Sequence, residues 1–127
     1  MKKYIFSLIA VLALGLFYGC DQSDQASTDE IKIGVILGFT GPIESLTPTM
    51  ASSAELAMKE VSDSGLLLGG AKVSSVRADS TCVDAGAATS AAERLVTSDN
   101  VAAIMGADCS GVTTAIANNV AVPNGVT

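Results

Sequence analysis

Residues 31–38 read IKIGVILG. The run is apolar almost throughout, too continuous for the strict alternation of a strand with one wet face. It fits a short strand covered on both faces, as the strands of parallel sheets are. An acidic stretch, DQSDQASTDE (21–30), precedes it and the turn GFTGP (38–42) follows it.

Forward of this strand the chain alternates. After Gly41-Pro42 it crosses ESLTPT into a helical pattern, with Met50, Ala54, Ala57, Met58 and Val61 as the expected apolar stripe. Thr47 or Thr49 is placed to cap that helix, Pro48 suits its first turn and Gly65 its end. Gly69-Gly70 marks a turn, and Lys72 to Ala78 reads as a second strand with Val73 and Val76 on one face. Asp84 is an N-cap for a helix running to about Thr97, whose inner face is Ala88, Ala91, Ala92, Leu95 and Val96. VAAIMG (101–106) is a third apolar strand, and SGVTTAIANNVA (110–121) a third helix that Pro123, Asn124 and Gly125 break. Val126-Thr127 then reads as the opening of a fourth strand. The order β-α-β-α-β-α-β predicts an α/β fold, a parallel sheet with helices on both faces. Such sheets bind ligands at the carboxyl ends of their strands. The loops of interest are therefore GFTGPIES after the first strand and GADCSGVTT after the third. With a fourth strand only opening and no helix to close the sheet, the chain of 127 residues reads as a fragment of a longer protein.

Backward of the strand the sequence changes character. Lys2 and Lys3 precede a 15-residue apolar core, Tyr4 to Tyr18, shorter than the ~20 residues of a membrane span. Residues 1–19 read as a signal peptide, and LFYGC resembles the bacterial lipoprotein signal, in which the cysteine becomes lipidated. That cysteine is Cys20; residues 20–30 are then a lipidated Cys and a flexible polar tether. An ordinary secretory signal with an incidental cysteine is the alternative.

Removing the signal leaves thirteen acids against five bases. Phosphate recognition needs clustered Lys and Arg, and none is visible, which argues against nucleic acid as a partner. The sequence has no histidine. Ser-His-Asp and Cys-His catalysis lose their base, zinc loses its commonest ligand, and neither an enzyme nor a metal site is expected. GFTGP matches neither common phosphate-loop pattern, and no cofactor is expected. Asp79 and Asp84 flank Cys82, but Asp84 is explained as a cap, and Glu44 reads as a solvated charge.

Two cysteines remain, Cys82 and Cys109. Export places them in an oxidising compartment, where they are expected to bond; two free buried thiols are the alternative. Ser110 has two readings. It is the N-cap of the third helix, or its hydroxyl joins Thr113, Thr114 and the first helix amides in holding a carboxylate.

IKIGVILGFTGPIESLTPTMASSAELAMKEVSDSGLLLGGAKVSSVRADSTC, followed by VAAIMGADCSGVTTAIANNVAVPNGV, resembles the type I periplasmic binding proteins, in their Leu/Ile/Val-binding branch. The I-x-I-G-V strand, the T-G-P turn, the A-E-L-A helix and the paired cysteines occur in the family's order. The resemblance implies two α/β lobes that trap a ligand between them, with residues 31–127 an incomplete N-terminal lobe. It implies a Cys82–Cys109 disulfide and a contact from Ser110 to the ligand's carboxylate, with Gly111, Val112 and Thr113 lining the cleft. It places Leu46, where relatives often carry an aromatic residue, over the ligand. The implied partners are an amino acid or similar small polar solute, an ABC permease, and the membrane through the lipid anchor; the implied location is the bacterial cell envelope. The alternative within the same fold is the extracellular half of a sensory receptor.

Overall fold

A computed structural model describes residues 30–127. The residues read as signal peptide, lipidated Cys20 and tether lie outside the described residues, except Glu30, which belongs not to a tether but to the first strand. Three parallel strands, β1 (Glu30–Leu37), β2 (Lys72–Asp79) and β3 (Ala103–Gly106), form one sheet in the order β2-β1-β3. Helix α1 (Thr47–Ser64) joins β1 to β2, and α2 (Ala85–Thr97) joins β2 to β3. After β3 come α3 (Ser110–Ile116), a π-helical stretch (Ala117–Ala121) and a last turn, α4 (Val122–Asn124).

The opening strand is central, and Val35, Ile36 and Leu37 are buried as a doubly covered strand requires. The chain leaves β1 toward β2, then doubles back past β1 to reach β3. Because such crossovers are right-handed, reversing direction changes face. Accordingly α1 covers Val35 and Leu37 on one face, while α2 and α3 cover Ile36 and Ala78 on the other.

The two faces are built differently. On the α2–α3 face, Ala88, Ala92, Leu95, Val101, Val112, Ile116 and Val120 form one buried cluster, with Ala91 and Val96 partly buried against it, as the periodicity predicts. Gly34 makes room for it: a Cβ there would lie 2.9 Å from Leu95 Cδ1. Asp84 caps α2 as expected, accepting from Gly86 N and Ala87 N, both at 2.9 Å.

The α1 face departs from expectation. Its buried positions are Thr47, Ala51 and Ser62, with Met58 partly buried; Met50, Ala57 and Val61 lie exposed. The helix is turned so that small and hydroxyl-bearing residues meet the sheet. Thr47 does not cap it. Its hydroxyl donates to Gly38 O at 3.1 Å, and the capping position belongs to Leu46. Ser62 Oγ accepts from Val73 N at 2.8 Å, so helix and strand are joined by a hydrogen bond. Val73 and Val76 are on opposite faces, because strand side chains alternate and three residues is an odd step. Val76 packs with the α2–α3 cluster, and Val73 lies beside Met58 and Ser62.

Pro123 does not break the third helix. The widened π-helical stretch just before it relieves the clash of its ring with the carbonyl four residues earlier, and Gly125, left-handed at φ 65°, ends the segment. Val126-Thr127 forms no strand; Ile104 N nevertheless donates to Thr127 O at 2.7 Å beside β3.

Candidate functional site

Strand order reverses at β1, and ligands of open α/β sheets sit outside the carboxyl ends of the strands at such a reversal, here those of β1 and β3. Three loops converge there: Gly38–Leu46, Ser80–Asp84 and Ala107–Cys109.

Their approach depends on close backbone contacts. Gly106 ends β3 at φ 125°, and a Cβ there would lie 2.0 Å from Ile36 O, so only glycine fits beside β1. The peptide that follows, Gly106-Ala107, is cis. Thr81 and Cys82 both adopt left-handed backbone, φ 56° and 69°, which side-chain-bearing residues avoid and functional loops tolerate. This turn carries Cys82 to Cys109, and the two form a disulfide, Cα–Cα 5.2 Å. The bond joins the loops that begin α2 and α3.

Two carboxylates tie the same loops. Asp108 accepts from Gly38 N at 2.7 Å and from Ser80 Oγ at 3.4 Å, bridging all three strand ends. Asp79 accepts from Thr40 N, Thr40 Oγ1 and Thr81 N. Partial burial pushes its pKa up, but the hydrogen bonds from Thr40, Thr81 and Phe39 outweigh that and hold it below the ordinary carboxylate range. Sequence reading missed Asp108. Its partner Gly38 is 70 residues away, and no local spacing reveals such a pairing. The one local signal is a short acceptor side chain just past a strand end.

Ser110 is the first residue of α3, exposed, and not its N-cap; that position is Cys109, whose sulfur is committed to the disulfide. The capping reading of Ser110 is therefore set aside, because a cap must have extended backbone before the first turn, and here Cys109 has it at φ −117°, ψ 126°. Thr113 N is the first amide of α3 to meet a carbonyl, Cys109 O at 3.0 Å. The amides of Ser110, Gly111 and Val112 precede it and have no helical partner. Gly111 is exposed beside Ser110. Val112 buries its side chain in the core, 2% exposed, so only its amide is presented at this end of the sheet. Thr113 is half-buried, and its hydroxyl faces Ala107 O and Cys109 O at 3.0 and 2.9 Å. Leu46, 60% exposed, stands at the start of α1 on the same end of the sheet. Thr114 turns its hydroxyl back to Ser110 O. With the Thr113 and Thr114 hydroxyls given to backbone carbonyls, and not free for a ligand as the sequence reading expects, the helix start offers the first amides and the Ser110 hydroxyl, suited to an anionic oxygen. Among the described residues, no cluster of acidic or sulfur ligands is spaced to hold a metal ion.

Solved solute-binding proteins share this fold. One is the branched-chain amino acid transporter substrate-binding protein of Streptococcus pneumoniae in complex with isoleucine. It aligns with TM-score 0.68 and 30% identity over 77% of this chain and 27% of its own. Another, a solute-binding protein of an ABC transporter from R. palustris in complex with benzoate, aligns with TM-score 0.64 and 26% identity over 76% and 26%. In sequence, the Leu/Ile/Val-binding protein homolog 7 of Brucella abortus is 35% identical over 112 residues, 87% of this chain and 25% of the relative. The chain spans about a quarter of the length of the curated relatives it matches. The family model described as periplasmic binding protein matches residues 30–126, and the chain belongs to that family.

Proposed function

We propose that this chain is the incomplete first lobe of a substrate-binding lipoprotein of an ABC importer. The protein captures a small carboxylate solute, an amino acid of the branched-chain type foremost, between this lobe and a second one, and hands it to a membrane permease. It does no covalent chemistry: the lobe offers donors but no histidine to act as base. Capture is a population shift, in which the closed form is favoured because it makes more contacts with the solute.

One observation carries this reading: the unpartnered donors at the start of α3, held in place by the disulfide and by Asp108. Isoleucine and benzoate, the ligands of the two solved relatives, differ in nearly everything except a carboxylate on an apolar body. Ser110 and the amides of Gly111 and Val112 suit the carboxylate, Thr113 backs the turn, and Leu46 suits the apolar body. Cys20 carries the lipid, and the tether keeps the lobe in the cell envelope.

Calorimetry of the complete mature protein against leucine, isoleucine, valine and benzoate tests the reading. At least one is expected to bind, and Ser110→Ala is expected to weaken it at least tenfold, with the disulfide and circular dichroism unchanged. Failure of all four to bind, or unchanged affinity in Ser110→Ala, would contradict it.

A further inference from the structure

The turn between α1 and β2 is unlike the rest of the surface. Gly65 ends α1 in left-handed backbone, a 3-10 turn spans Leu67–Gly69, and Gly70 leads into β2. Leu66 and Leu68 are 87% and 79% exposed, more than the other exposed large apolar residues of the described chain. Leu68 also sits at φ 40°, ψ 48°, a region that disfavours residues with a Cβ and normally takes Gly or Asn. A local rule is broken twice, and nothing inside the turn compensates, since the Leu68 side chain reaches no core. Features of that kind point to a role outside the fold.

The position of the turn says what that role is. Glu30, the first residue of β1, pairs in parallel with Lys72, the first of β2. The leucine turn, which runs into Lys72, therefore lies at the amino end of the sheet, opposite Ser110 and the carboxyl ends of the strands. The chain enters at that same end, ten residues after Cys20. In any conformation ten residues span at most about 35 Å. A lipid on Cys20 holds a bilayer within that reach of Glu30, at the end of the sheet that carries Leu66 and Leu68. Two aliphatic side chains with no aromatic or arginine anchor beside them suit acyl chains better than a protein hot spot.

We propose that the Leu66–Leu68 turn is a second membrane contact. Its two leucine side chains enter the interface of the bilayer that holds the lipid anchor and fix the lobe with its Ser110 end turned away from the surface. The contact is too small to recruit the protein alone; it works because the anchor keeps it at high local concentration. This inference rests on the reading of Cys20 as the lipidated residue.

The test uses the complete acylated protein in phosphatidylcholine vesicles. An environment-sensitive fluorophore is placed on Leu66→Cys and, as a control, on Ser90→Cys, an exposed site on α2. Lipids brominated in the upper acyl chain are expected to quench the probe at residue 66 at least twofold and to leave the probe at residue 90 unchanged. Adding Leu68→Ser is expected to remove most of that quenching. Equal quenching at both positions, or none at residue 66 in protein whose acyl mass on Cys20 is confirmed, would overturn the contact. An unmodified Cys20 would overturn it together with the anchor. Calorimetry on the same preparation reads solute binding separately, so failure of the contact and failure of the capture reading are told apart.

Discussion

The two faces of the sheet are held by different physics. The α2–α3 face rests on apolar burial around Ile36 and Leu95, and a disulfide staples the loops that begin its two helices. The α1 face buries few apolar residues, Val35, Leu37 and Ala51, and docks through hydroxyls and an ion pair. In that pair, Arg77 donates from Nε and Nη2 to Glu55 at 2.7 and 2.8 Å and lies over the Phe39 ring, 5.6 Å from its centre. Burial falls off slowly with solvent conditions, whereas partly exposed polar contacts are sensitive to pH and salt. The faces should therefore fail under different perturbations.

The largest effect is expected on the apolar face. Leu95 is fully buried against Gly34, and Leu95→Ala should cost roughly 3–5 kcal/mol in chemical denaturation, the range for a core leucine whose site collapses little. Next comes the staple. Replacing Cys82 and Cys109 by alanine opens a loop with a sequence separation of 27 and should cost about 3–4 kcal/mol in the chain-entropy account. On the α1 face, Ser62→Ala leaves Val73 N without its acceptor and should cost about 1–2 kcal/mol, the price of a half-buried amide left unpaired. If Ser62→Ala matched Leu95→Ala, the contrast between the faces would be wrong.

Acid sharpens the contrast. The Arg77 hydrogen bonds hold Glu55 below the ordinary carboxylate range, and Asp79, despite burial, is held low by Thr40 and Thr81. Both therefore bind fewer protons folded than unfolded. Their stabilisation is complete above the unfolded carboxylate values of about 4 and is lost as pH falls through the lowered folded values. Melting temperature should drop across that window, and Asp79→Asn should make the drop shallower; an unchanged slope would remove Asp79 from the account. Glu55→Gln should give the smallest change of the set, shrinking further with added salt, because the pair is partly exposed.

The same difference decides what could be read in advance. Apolar periodicity marked α2 and its inner face correctly, and the run from Ile31 to Gly38 placed the central strand, because burial leaves a compositional trace. The inner face of α1 left none. Thr47 and Ser62 look like caps or solvent-facing residues until their partners, Gly38 and Val73, are brought close by the fold. The candidate site was legible in the same uneven way. Cys82, Cys109 and Ser110 came from order along the chain and from family resemblance. Asp108 did not, since its role exists only across 70 residues of sequence. Pro123 misled because a π-helical stretch can absorb what an α-helix cannot.

The proposed function turns on whether the start of α3 holds a carboxylate. The most direct test is to titrate the complete mature protein with isoleucine and benzoate and with their primary amides, which keep shape but lose the charge. An acid is expected to bind and its amide at least tenfold more weakly, with the difference reduced in Ser110→Ala. Equal affinity for acid and amide would contradict the proposed function.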